Sequence, residues 1–340
     1  MGSLADHGSW RKNFMLGFSV VGAVCCLLFP TVTRNDEFIY CAILAIIVTV
    51  CLGAAWVFNY SYLPPLARNH PDFTKLLALE LNTPHDVLVS KLDVVTNDIS
   101  SSGFVWMFSG IIGSLVLSAV ISSLVKVPSD SGLPSNYGFQ LGLALSGMLW
   151  LVGSFLAWRF LRARPGPDFP KGVNVVTYST RKVYSALKKS RKLANLFIFL
   201  LETLNSRIST LTNVAILYAQ SVLSFTTTDI LILAAEVPIL ALLGTFCFNK
   251  LQHVTKCDSK HILLIQNGLY ILVPLYGSLG LIPGNPIGFK YKIELFLFAG
   301  LHGFLTGATQ SSCRSLFAQL LPPGSESEFF SLYEITDKGE

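Results

Sequence analysis

Charge is scarce in this chain. Only 13% of its 340 residues are Asp, Glu, Lys or Arg, where a soluble domain carries about 25%. No stretch has the composition of a soluble domain. Catalytic signatures are missing too: there is no G-x-S-x-G, no H-E-x-x-H, no phosphate-binding loop and no Cys-His zinc set. His7, His70, His85, His253 and His261 lack ligand spacing. The seven cysteines fall mainly in apolar runs, where thiols behave as small hydrophobes. Nothing calls for an enzyme, a metal or a cofactor. The N-terminus lacks the order of a signal peptide, and Asp6 stands where a myristoylation site wants Ser or Thr.

What is abundant is apolar sequence. Runs of about 20 residues can cross a hydrocarbon core of roughly 30 Å. Eight such runs are predicted, at 14–32, 38–63, 103–125, 137–161, 196–222, 230–248, 262–281 and 295–316. The polar intervals at 68–102 and 162–192 read as connectors. The expected fold is an all-α polytopic membrane protein. Lys and Arg stay on the cytosolic side during insertion. Arg11, Lys12, Arg68, Lys75, Lys91, Arg159, Lys250, Lys256, Lys260, Lys338 and the cations of 162–192 fall on one side, against Arg34, Lys126, Lys290 and Lys292 on the other. Both termini are therefore expected in the cytosol. The net charge of +5 is a topology signal, and nucleic acid is not an expected partner.

The opening residues, MGSLADHGSWRK, are too polar for a span. Gly2, Leu4, Ala5, Asp6, Gly8, Arg11 and Lys12 match G-x-L-A-D-x-x-G-x-x-R-K, which resembles the loop between the second and third helices of major facilitator transporters. Its glycines permit a tight turn, and its aspartate can pair with a helix N-terminus. Asn59, Tyr62, Leu63, Pro64, Leu66, Arg68, Asn69, His70 and Pro71 carry a narrower resemblance, as do Ile99 to Ser101 with Gly103, and Ala215 to Leu217. The strongest block comprises Gln310, Ser311, Cys313 to Ser315, Pro322 to Glu326, Phe329, Phe330, Tyr333 and Ile335 to Gly339. Together they resemble the autophagy-related vacuolar amino-acid effluxers, a fungal branch of that superfamily.

The resemblance implies a twelve-helix fold, of which these eight runs look like the third to the tenth. On that reading Glu340 falls at the threshold of a further helix, and the chain is a partial major facilitator bundle. Its parts are the remainder of one half (1–161), a basic connector (162–192) and the remainder of the other half (193–340). The implied function is efflux of small neutral amino acids from the vacuole after autophagic breakdown, by alternating access in the vacuole membrane. The alternative is a non-transporting short form that associates with, or interferes with, a full-length transporter. Two departures from the family stand out: Ser206-Arg207 where an acid followed by glycine is usual, and Met107-Phe108 in place of Gly-Tyr.

Polar groups facing lipid are expensive, so polar stripes on apolar helices mark candidate sites. In the fifth run Glu202, Asn205, Ser206, Ser209, Asn213 and Gln220 share one helical stripe, with Arg207 beside it. They suit either a cavity wall that meets an amino acid or interhelical hydrogen bonding. The eighth run carries His302, Thr306, Thr309, Gln310, Cys313 and Arg314. His302, near an outer boundary, is expected to be wet or to titrate; Arg314 either gates or snorkels to water. Glu236 interrupts the sixth run with Pro238 two residues on, a candidate proton carrier or partner of Arg207. Asn59, Thr306 and Gln310 join the substrate-binding candidates; Asp6, Arg11, Arg207, Glu236, His302 and Arg314 are the coupling or gating candidates. Gly138 with Gly142 and Gly303 with Gly307 are spaced for close helix approach. The expected partners are amino acids and the lipid bilayer, and the basic run 182–192 can lie on the inner leaflet.

Overall fold

The computed structural model describes residues 2–78, 85–124, 137–164, 166–169, 174, 178–179, 181–182 and 211–338. Helices build all of the regular structure among them. In chain order they are α1 (Gly2–Ala5), α2 (Trp10–Leu27), α3 (Phe38–Tyr60), α4 (Leu63–Arg68), α5 (Pro71–Ala78), α6 (His85–Leu124), α7 (Tyr137–Phe160), α8 (211–221), α9 (Thr227–Thr255), α10 (Ser259–Leu279), α11 (Lys292–Leu320) and α12 (Glu326–Lys338). Six of the described helices are long and apolar enough to cross a membrane, within Trp10–Thr31, Phe38–Arg68, Asp86–Ile121, Tyr137–Phe160, Asp229–Thr255 and Ser259–Leu279. The chain is an all-α polytopic membrane protein. Two of the eight expected runs are not among the six. The fifth is described only over 211–222, and the eighth, α11, is long but diluted by Lys292, Glu294, His302 and Arg314.

Three expectations about segments are corrected. The interval 68–102 is no open connector, because 85–102 continues without a break into the third run as the 40-residue helix α6. Its polar residues are satisfied by other helices, which hydropathy alone does not register. The sixth run likewise extends to Thr255. Beyond Pro322-Pro323-Gly324, where a helix was expected only past the end of the chain, Glu326–Lys338 is already helical.

The chain divides into two compact units that interleave in sequence. Unit 1 comprises Met1–Tyr62, Gly113–Lys189 and Pro322–Glu334, and unit 2 comprises Leu63–Ile112, Ser190–Leu321 and Ile335–Glu340. In unit 1, small residues let helices touch: a Cβ on Gly142 would stand 2.9 Å from that of Ser118, and Ser114 and Ser146 share a 2.7 Å hydroxyl contact. α12 turns Phe330 fully inward, its ring 6.0 Å from that of Tyr60.

In unit 2, α9 and α11 lie backbone to backbone. A Cβ on Gly303 would stand 2.6 Å from the Val237 carbonyl oxygen, and one on Gly307 would collide with that of Ala241. That is the close approach the four-residue glycine spacing predicts. A reciprocal capping box starts α9: Thr226 Oγ1 accepts from the Asp229 N–H at 3.3 Å, and Asp229 accepts from the Thr226 N–H at 2.9 Å. Its other end closes with Lys256 at φ 54, in the left-handed region, after which Asp258 leads into α10.

Candidate functional site

Unit 1 holds the motif at the start of the chain. Gly8, at φ 50, turns the backbone between α1 and α2, so that Asp6 and Arg11 come onto one side. Asp6 is 3% exposed and caps α12: Oδ1 accepts from the Ser327 N–H at 2.8 Å and Oδ2 from the Glu328 N–H at 3.0 Å. A helix N-terminus carries about half a positive charge and unpaired N–H groups, and a carboxylate satisfies both. The Arg11 guanidinium, also buried, donates through Nη2 to Asp6 at 2.8 Å and to Glu326 at 3.1 Å, and through Nη1 to the Ser61 carbonyl at 3.1 Å. Tyr62 presents its ring to the same cation at 5.7 Å. Burial pushes the Asp6 carboxyl above its ordinary value, against the pull of the Ser327 N–H and the Arg11 charge. Next to it, His7 Nδ1 donates to the Pro167 carbonyl at 3.1 Å, and the Tyr178 hydroxyl reaches Nε2 at 3.0 Å.

Unit 2 holds a second polar cluster, one that sequence reasoning missed. Asp93, 5% exposed, collects three donors: Gln319 Nε2 at 2.6 Å, the Ser259 N–H at 2.7 Å and Gln252 Nε2 at 3.2 Å. Ser259 is the first residue of α10, so Asp93 caps a helix far along the chain, as Asp6 does. Asn97, one turn on, bonds Asn249 at 3.2 Å and Gln252 as well. After another turn Ser100 donates to the Ser311 carbonyl at 2.8 Å, and Arg314 donates back, through Nη2 to the Ser100 carbonyl at 2.8 Å and through Nε to its hydroxyl at 3.1 Å. The Arg314 guanidinium stacks on Phe104 at 4.5 Å. Asp93, Asn97, Ser100 and Phe104 sit at i, i+4, i+7 and i+11, one face of α6; that spacing was the available signal.

Arg314 therefore does not snorkel. It is buried, because backbone and hydroxyl acceptors on α6 stand where water was expected. Nor is His302 wet: it is 4% exposed in the middle of α11, with Nε2 2.9 Å from Thr212 Oγ1. Thr306 donates to the His302 carbonyl at 2.7 Å and meets the Tyr270 hydroxyl at 2.8 Å. Thr309 and Cys313 are buried on the same helix, and Gln310 is half-buried. Glu236 is half-buried against α11, its Oε1 2.9 Å from where a Cβ on Gly300 would stand. Glu202, Asn205, Ser206, Arg207 and Ser209 lie outside the described residues. Asn213 and Gln220 are exposed on α8, whose inward positions are Thr212 and Ala219. In unit 1, Asn59 is exposed and lines a cavity of about 240 Å³ with Ser19, Trp56 and Trp150.

These features define a polytopic membrane protein whose buried charges serve helix ends and helix contacts; among the described residues no cluster of His, Cys, Asp and Glu has the geometry to hold a metal ion. The chain belongs to the vacuole effluxer Atg22-like family, whose model matches residues 1–340. It is similar to Autophagy-related protein 22-1 of Aspergillus fumigatus, 28% identical over 400 residues that cover 100% of this chain and 64% of the relative. The protein of the same name from Emericella nidulans is 29% identical over 392 residues, covering 100% and 65%. Autophagy-related protein 22 of Coccidioides immitis is 28% identical over 386 residues, covering 100% and 62%. The chain thus spans a little under two thirds of the length of these relatives. No solved structure matches it.

Proposed function

We propose that this chain works in efflux from the vacuole to the cytosol, carrying small neutral amino acids released by autophagic degradation. The observation that carries the reading is the match of the effluxer family over the whole chain. The substrate class follows from the family resemblance in the sequence. The mode is alternating access in a bundle of the major facilitator type, with 1–161 and 193–340 as contributions to its two halves and 162–192 between them. The buried Asp6 contact with α12 supports that reading, since a carboxylate docked on backbone N–H groups is a contact that can part and re-form without chemical change.

Both termini lie in the cytosol and the bundle sits in the vacuole membrane. Thr306 and Gln310, together with Asn59, Glu202, Asn205, Ser206, Ser209, Asn213 and Gln220, are the residues to test for substrate contact. Asp6, Arg11, Arg207, Glu236, His302 and Arg314 are those to test for coupling or gating. The experiment is efflux of radiolabelled leucine from isolated vacuoles of a fungal strain lacking its own effluxers, with and without this chain. Faster release with the chain, reduced by Arg11→Leu, supports the proposal; release equal to that of empty-vector vacuoles at comparable protein levels ends it.

A further inference from the structure

In unit 1, α12 is capped from a distance. Two of its first-turn N–H groups, on Ser327 and Glu328, go to the carboxylate of Asp6 at 2.8 and 3.0 Å, across more than 320 residues of chain. Yet the start of the helix carries a cap of its own. Ser325 stands in the N-cap position, because its carbonyl accepts the first bond of the helix, from the Phe329 N–H at 3.2 Å. A serine there ordinarily turns its hydroxyl to the N–H two or three residues on, and those are the two that Asp6 holds. Ser325, Glu326, Ser327 and Glu328 also form the pattern S-x-x-E, in which the acid reaches back to the N–H of the serine. The Glu328 carboxylate instead lies 4.0 Å from Lys182 Nζ.

The corresponding box at α9 is closed, since Thr226 and Asp229 exchange both bonds. At α12 the box is complete in the sequence and open in the structure. Its N–H groups thus have two acceptors within the chain, one local and one remote, and the remote one holds them. Withdrawing Asp6 with nothing to replace it would leave N–H groups unpaired at a buried helix end, a cost that opposes any parting. With Ser325 beside them, the same groups can exchange one acceptor for another. Glu326 and Glu328, both in the first turn, keep negative charge at the positive end of the helix after Asp6 leaves.

We propose that Ser325 and Glu328 form a reserve cap for α12. When Asp6 withdraws, the Ser325 hydroxyl accepts from the Ser327 or Glu328 N–H, and the Glu328 carboxylate accepts from the Ser325 N–H. The helix then parts from the turn between α1 and α2 with its first turn satisfied. The inference rests on the reading that this contact parts and re-forms during alternating access, and its test needs no transport.

The full chain in lipid nanodiscs would carry Ser327→Cys, a thiol at a fully buried position of the contact. Its modification by a water-soluble maleimide, read by mass spectrometry of its peptide, reports the open fraction. Ser325→Ala removes the reserve acceptor and leaves both Asp6 bonds in place, so modification should slow about fivefold. Ser325→Thr, which caps nearly as well, should restore the rate. Unchanged or faster modification in Ser325→Ala overturns the reserve cap alone. No modification in any variant would mean that the contact stays shut, which overturns the alternating reading of this contact as well. In denaturant titrations, Ser325→Ala should leave the otherwise native chain unchanged and lower the folded ratio about fivefold in an Asp6→Ala background; equal effects in the two backgrounds overturn the proposal. Should Asp6→Ala fail to fold, the modification rates decide alone.

Discussion

Replacing Arg11 by Leu tests the packing of unit 1 at its most charged point. The guanidinium sits between two buried carboxylates, 2.8 Å from Asp6 and 3.1 Å from Glu326. Its removal takes from both acids the cation they share. The α12 N-terminus still offers Asp6 two N–H groups and a partial positive charge, and Glu326 loses the Arg11 charge 3.1 Å away. Breaking a buried pair by removing one partner costs about 3–5 kcal/mol, and the low end of that range applies because the helix end compensates in part. The expected loss of unfolding free energy is about 3 kcal/mol, two powers of ten in the folded ratio. Adding Asp6→Asn and Glu326→Gln to Arg11→Leu removes the stranded charges and should recover more than half of it, a coupling that a mutant cycle reads directly. The assay is a denaturant titration in mild detergent, scored by the reactivity of Cys26 and Cys51, both buried thiols of the same unit. A loss below about 1 kcal/mol would refute the electrostatic account, and so would a triple variant no more stable than the single one. Asp6 adds a pH signature: its raised value means the folded chain holds a proton that the unfolded chain releases, so stability falls as pH rises from the ordinary carboxylate value through the raised one. Asp6→Asn should flatten that slope.

Other expectations follow from unit 2. Asp93→Ala strands the Ser259 N–H and takes one acceptor from each of two glutamine amides, and should cost about 3 kcal/mol, with Asp93→Asn costing about half; equal losses would show that the carboxylate charge adds nothing. Gly307→Val drives a side chain into the Ala241 carbonyl and should cost about 1–3 kcal/mol or more, while Gly268→Ala, with open space around its Cβ position, should stabilise α10 by about 0.5–1 kcal/mol; thermal shifts of the same sign for the two would contradict the packing. Arg314→Lys keeps the charge but loses the planar stack on Phe104 and the paired bonds to Ser100. It should lose about 1–3 kcal/mol, and stability unchanged from the native chain would mean that charge alone suffices.

The helices and one of the two aspartate caps were legible in the sequence, because both rest on local signals. Apolar runs announce spans, four-residue glycine spacing announces a close helix approach without naming the partner, and the opening motif announces an aspartate that meets a helix N-terminus. The Asp93 cluster was not legible. Its residues lie in an interval too polar to read as part of a span, and their partners stand 152 to 226 residues away. The same blindness misplaced Arg314: its nearness to a helix end suggested water, while the acceptor on Ser100, 214 residues away, left no trace in the local pattern. His302 was misjudged for a related reason, since depth along a helix says nothing of which neighbours close over a side chain.

The length of α6 has a consequence for the bilayer around it. At 1.5 Å per residue its 40 residues reach about 60 Å, roughly twice a hydrocarbon core. α9, with 29 residues, overshoots by about 14 Å on the same arithmetic. Asp93, Asn97, Asn249 and Gln252 belong to these surplus turns, joined amide to amide and amide to carboxylate rather than through water. A membrane thicker by one helical turn would submerge the Asp93 carboxylate, which has only neutral donors around it, and the unpartnered Asn97 Oδ1, and both would resist the move. The polar stem of this pair of helices thus acts as a fixed waterline.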